Sequence, residues 1–209
     1  MNIRNFNDWL LSVEKQSLIM GILNVTPDSF SDGGKYLEKN NAINHALAMI
    51  DNGADIIDVG GESTRPFSNP VSLDEEISRV IPVIEGIRNE SDVCISIDTT
   101  KAEVATAALN SGASLINDVS AMEVDPLMID VALKFDCPII IMHMKGSPKS
   151  MQDNPQYESL ISDIKDYLQE RVDFIVSKGI NSKKIVIDPG IGFGKTVENN
   201  FEIINNLNY

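Results

Sequence analysis

The sequence predicts an α/β protein of the TIM-type (β/α)8 barrel class, with the first six βα units contained in the 209 residues. Three observations carry this expectation. Six short, continuous apolar runs alternate with segments whose apolar residues keep helical spacing, glycines close most of those segments, and a polar residue ends every run. Runs that are apolar on both faces belong to a parallel sheet covered by helices rather than to half-exposed antiparallel strands. A doubly wound sheet concentrates its site at one switch point, whereas a barrel gathers side chains from most strand ends into one mouth. Polar residues at all six ends therefore favour the barrel.

In chain order, the strands are expected at Leu18–Val25, Asp55–Gly60, Val93–Asp98, Ser114–Val119, Pro138–His143 and Ile185–Asp188. Between the first two, Ile43, Ala46, Leu47 and Ile50 form a helical stripe that stops at Gly53. Ser72-Leu73-Asp74-Glu75 reads as a capping box opening a helix through Ile77, Val80, Ile81, Ile84 and Ile87, with Pro82 expected to kink it. Val104, Ala107 and Ala108 end at Gly112, and the longest stripe, Leu160 to Ile175, ends at Gly179. At about 33 residues per unit a complete barrel needs on the order of 265 residues. The reading is thus a single domain, 1–209, whose last two βα units are missing.

Composition excludes several classes of function. With 43% hydrophobic and 23% charged residues the chain can build one sizeable core, so disorder is excluded. Seventeen Lys and Arg against 31 Asp and Glu leave a net charge of −14, which repels nucleic acid and anionic membrane surfaces. Neither is expected as a partner. An anionic small molecule remains compatible, because backbone N–H groups and a few cations make a local positive field. Cys94 and Cys137 sit in apolar runs and read as buried small hydrophobes. Met1–Lys15 lacks the pattern of a signal peptide and no window reaches the length of a membrane span, so the cytoplasm is the expected location.

The chemistry is expected at the strand ends: Asn24, Asp58 with Glu62, Asp98, Asn117 with Asp118, His143 and Asp188. Two long loops, Asn24–Gly34 and Gly60–Pro66, combine hydroxyls, carboxylates and glycine hinges, as lids over a barrel mouth do. His45 falls on the exposed side of its helix, and His143, alone, is no metal site. Gly190-Ile191-Gly192-Phe193-Gly194-Lys195-Thr196 fails as a Walker A loop, since Pro189 stands where its first glycine is required, and it fails as a dinucleotide fingerprint at Lys195. Neither ATP nor NAD is expected.

Long motifs carry a resemblance. Met20–Gly34 and Gly53–Pro66 are similar to the two signatures of the dihydropteroate synthase family, and the similarity continues through Ser96-Ile97-Asp98-Thr99, Ile116-Asn117-Asp118-Val119, Met142–Gly146 and Asp188–Lys195. The resemblance implies a pterin-binding barrel that joins 6-hydroxymethyl-7,8-dihydropterin diphosphate to p-aminobenzoate, giving 7,8-dihydropteroate and pyrophosphate in folate biosynthesis. It assigns the pterin ring to Asp188, Asp98 and Asn117, with Met142 as an apolar floor. Asn24 is implied as a Mg²⁺ ligand. Thr64 and Arg65 are implied at the diphosphate or p-aminobenzoate, with Phe30, Pro66, Phe193 and Lys195 on the p-aminobenzoate side. A homodimer is compatible with the resemblance. A pterin-dependent methyltransferase on the same barrel does not account for the Thr26–Gly34 loop. The family's Ser-Arg-Lys motif after strand seven and Arg-x-His motif at strand eight do not occur here, so the 209 residues alone are expected to lack synthase activity. The alternative is an inert pterin-binding or interaction module.

Overall fold

Six strands, β1 (Met20–Asn24), β2 (Ile56–Gly60), β3 (Cys94–Asp98), β4 (Leu115–Asp118), β5 (Ile139–Met142) and β6 (Ile185–Asp188), form one parallel sheet in strictly sequential order. The computed structural model describes residues 1–26, 34–63, 70–146, 151 and 155–208, and of residues 34–38 the backbone alone. Sequential order is what a barrel wall requires, since a doubly wound sheet reverses direction at its switch point. Among the described residues β1 and β6 each pair with one neighbour, so the wall is six strands wide.

Helices α2 (Gly34–Asp51), α3 (Leu73–Glu90), α4 (Ala102–Asn110), α5 (Met128–Phe135), α6 (Leu160–Ser177) and α7 (Val197–Asn205) alternate with the strands along the chain. The period-2 alternation of each strand decides where its side chains go. Leu23, Ile57, Val59, Ile95, Ile97, Ile116, Ile139 and Ile141 join the large core between the sheet and its covering helices. The alternate positions face inward. Ile56, Cys94, Leu115 and Ile140 form the floor, closed from below by Phe6 of an N-terminal helix, α1 (Ile3–Leu11). That helix is tied on by the Cys94 N–H, which donates to Met1 O at 2.6 Å. One step above the floor lie Asp58, Ser96, Asn117, Met142 and Asp188, and polar groups begin.

Local chemistry explains the boundaries. Ser72 caps α3 by accepting from the Glu75 N–H at 3.3 Å, but the other half of the expected box is absent, because Glu75 instead pairs with Arg79 one turn on. α3 continues through Pro82 to Glu90. Both cysteines are buried and unbridged. Among the described residues no helix is long and apolar enough to cross a membrane.

Candidate active site at the strand ends

The inward polar layer is built by register. Asp58 on β2 lies opposite Ser96 on β3, Asp98 opposite Asn117 on β4, and Met142 on β5 opposite Asp188 on β6. Four of the predicted pterin contacts, Asp98, Asn117, Met142 and Asp188, therefore come from four adjacent strands onto one face. Gly60 makes room for this, since a Cβ there would lie 3.2 Å from Asp98 Oδ2.

Asp58 belongs to the same layer, and the sequence reading placed it at a strand end without assigning it a contact. It is 3% exposed, its Oδ2 accepts from Asn117 Nδ2 at 3.0 Å, and its Oδ1 has no hydrogen-bond partner among the described residues; nor does the buried Ser96 hydroxyl. Ser96 lies opposite Asp58 in the register, and its hydroxyl is the donor at hand for that oxygen. Burial pushes the Asp58 pKa up, the Asp188 charge adds to the rise, and Ser96 and Asn117 oppose it. Asp98 is raised well above the ordinary carboxylate range, first by desolvation and then by the surrounding charges of Asp58, Asp118, Glu76 and Glu62. A mouth this rich in carboxylates suits a ligand that presents several N–H donors.

Asp118 does not face the mouth. It is fully buried, and its oxygens accept from Ser120 N and Oγ at 2.8 and 2.6 Å and from Met122 N at 3.1 Å. It stabilises the turn after β4, where Ala121 and Met122 adopt positive φ and Arg171 holds the Ala121 carbonyl.

The β6 end is tied by hydrogen bonds within its own loop. Asp188 Oδ1 accepts from the Gly190 N–H at 2.7 Å, and Phe193 N, of a half-buried residue, donates to Gly190 O at 3.0 Å. Lys195, expected on the p-aminobenzoate side, is engaged with protein groups. It is 3% exposed, with Nζ donating to the carbonyls of Phe193 at 2.9 Å and His143 at 3.2 Å and lying 3.1 Å from His143 Nδ1. It joins the β5 and β6 loops and holds the backbone carbonyl of Phe193. Desolvation lowers its pKa to about 8, and burial together with the Lys195 charge lowers that of His143 to about 4. His143 is buried against Lys195, and His45 is exposed.

Asn24 ends β1 opposite Gly60. No group of three or more His, Cys, Asp or Glu among the described residues could hold a metal ion. The donor set still fits Mg²⁺ in one way, as a single amide oxygen completed by phosphate and water. Phe30, Thr64, Arg65 and Pro66 lie outside the described residues.

Comparison with known proteins agrees with this geometry. The pterin binding enzyme family matches residues 20–209. A dihydropteroate synthase of Clostridium beijerinckii is 49% identical over 196 residues, covering 94% of this chain and 70% of that protein. The chain belongs to the dihydropteroate synthase family. Its enzyme class is accordingly that of the transferases of folate biosynthesis. Among solved structures, the Yersinia pestis synthase in complex with a sulfonamide drug superposes with a TM-score of 0.85 at 44% identity, over 92% of this chain and 70% of that one. The Xanthomonas albilineans synthase with 4-aminobenzoic acid also gives 0.85, at 41% identity over 92% of this chain and 68% of that one. The chain thus spans roughly two thirds of each relative's length, and both structures bear out the barrel.

Proposed function

We propose that the strand-end layer receives 6-hydroxymethyl-7,8-dihydropterin diphosphate and presents it to p-aminobenzoate. The observation that carries this is the inward row of Asp58, Asp98, Asn117 and Asp188, brought together by strand register. A pterin offers a ring N–H beside an exocyclic amine, and a carboxylate accepts both with charge assistance. Asp188 takes that role, Asp98 and Asn117 take the remaining ring edges, and Met142 supplies apolar surface beneath.

The transfer breaks the bond between the pterin methylene carbon and the diphosphate oxygen, which leaves with the electron pair. The aniline nitrogen of p-aminobenzoate forms the new bond and gives up a proton. Positioning is the protein's main contribution to such a step. Thr64 and Arg65 are assigned to the diphosphate or to p-aminobenzoate, and Phe30, Pro66 and Phe193 to the p-aminobenzoate side, the space a sulfonamide would contest. Lys195 acts through Phe193. Asn24 would hold Mg²⁺, which when bound neutralises charge developing on the leaving diphosphate.

Calorimetric titration with a phosphate-free pterin, alongside turnover of p-aminobenzoate, tests the reading. Binding with turnover supports it. Binding without turnover is the outcome expected of the 209 residues alone, and absence of binding would overturn the pterin site.

A further inference from the structure

The inward polar layer is not uniform in exposure. Asp98, Asn117 and Asp188 are half-buried, within reach of a ligand, whereas Asp58 and Ser96 are buried at 3% and 0% exposure. A carboxylate that deep stays ionised only where donors meet it, and an ionised carboxylate can only accept. Asn117 Nδ2 donates to its Oδ2 at 3.0 Å, and the Ser96 hydroxyl is the donor at hand for Oδ1. Both oxygens of Asp58 are therefore provided for within the protein, which sets it apart from the carboxylates that a ligand would meet.

The bond from Asn117 to Asp58 spans a strand. Asp58 lies on β2 and Asn117 on β4, with β3 between them, where Ser96 stands opposite Asp58 and Asp98 opposite Asn117. The small side chain at position 96 leaves room for the two to meet. Their bond also decides which way round the Asn117 amide sits. An asparagine amide carries an acceptor on one side and donors on the other, and the two orientations have the same shape. Beside an ionised carboxylate they differ in energy, because Oδ1 turned toward Asp58 would set two acceptors against each other and leave a buried oxygen unpaired. Nδ2 is thus held against Asp58, and Oδ1 is turned away from it. What Asn117 keeps for a ligand is that acceptor, with the second N–H of Nδ2 beside it.

We propose that Asp58 is a positioning residue, one that makes no contact with the pterin and acts by fixing the Asn117 amide so that Oδ1 accepts from a ring N–H. This rests on the proposed function above, because it takes Asn117 to meet the pterin ring. Asn117 then joins Asp98 and Asp188 in offering acceptors, and preference for a ligand rich in N–H donors depends in part on a buried residue out of its reach.

A double-mutant cycle tests this, read as affinity for the phosphate-free pterin in titration calorimetry. Asp58→Leu keeps most of the volume and leaves no acceptor, and Asn117→Leu removes the amide. Asp58→Leu alone is expected to lower affinity about tenfold. In the Asn117→Leu background the same change should lower it by about twofold or less, because no amide is left to orient. A residue that merely supports the barrel would lose the same factor in both backgrounds. Equal losses, or full affinity in Asp58→Leu, would overturn the positioning role. Should Asp58→Leu fail to fold, the wild type decides through the side-chain amide resonances of Asn117, assigned from its backbone. An amide hydrogen that exchanges slowly with solvent, both free and with pterin bound, is expected, and a pair exchanging as fast as that of an exposed asparagine would overturn the proposal. A wild-type protein that binds no pterin overturns the functional reading as well, whereas equal losses in a protein that does bind it overturn the positioning role alone.

Discussion

Asp188 has one oxygen engaged by its own loop, where Oδ1 accepts from Gly190 N, and this orients the carboxylate before any ligand arrives. Replacing it with asparagine keeps the shape but turns an acceptor into a donor and removes the charge. Asp188→Asn is expected to weaken pterin binding by about 2 kcal/mol or more, measured by titration calorimetry; unchanged affinity would remove Asp188 from the site. Lys195 makes a different prediction. An unfolded lysine titrates near 10.5 and this buried one near 8, because desolvation disfavours its charge. Between those values the unfolded chain holds the extra proton, so stability rises with pH across the interval; below it both states are protonated and the penalty is at full strength. Urea midpoints should climb between pH 8 and 10.5 in the wild type, and the climb should be smaller in Lys195→Met. The residues legible from sequence were those at strand ends inside long motifs. Asp58 was visible as a carboxylate closing an apolar run, but its contact with Asn117 depends on strand register, which local spacing does not reveal. Glu76 carried no expectation, since the Thr99 and Lys101 that pair with it come from 23 and 25 residues away.

Two glycines of the β6 loop separate backbone strain from steric exclusion. Gly190 has φ +71°, and a Cβ there would sit 2.0 Å from His143 O; Gly192 has φ +83° with nothing within 4 Å. Gly192→Ala should cost about 1 kcal/mol from the left-handed backbone alone. Gly190→Ala must also push the β5 end away from β6, and it is expected to cost roughly 3 kcal/mol or more, or to prevent folding. Denaturant titration of the two variants side by side checks the difference. At this scale all six strands were legible to within two residues at either end, because buried parallel strands advertise themselves as continuous apolar runs. Two helices were not. α5 is eight residues long, has no side-chain cap at Leu127, and follows a turn through two residues of positive φ, so neither period nor cap announced it. α1 reads as a short apolar stretch among charges, and what makes it a helix of the fold is the barrel floor it covers.

For the whole molecule, the choice between barrel and doubly wound sheet rested on the spread of polar residues, and the sequential strand order bears it out. The six-stranded wall exposes Ile22 on β1 and Ile187 on β6 by 54% and 56%, and α7 presents Phe201 at 64%. Unpaired strand edges flanked by apolar side chains invite pairing with another copy. The polypeptide 1–209 in isolation is expected to self-associate, as judged by light scattering behind size exclusion, and a monodisperse monomer over a wide concentration range would count against this.

The sequential order also sets a timetable for synthesis. Each βα unit can settle on the one before it as it leaves the ribosome, because neighbours in the sheet are neighbours in sequence. α1 is the exception. It emerges before the strands, yet Ile140, the last buried member of the floor it seals, appears roughly 130 residues later, on the order of ten seconds at ordinary elongation rates. During that interval Phe6 and Trp9 have no completed floor to cover, so the nascent chain carries an apolar face that chaperones can recognise until the fifth strand arrives.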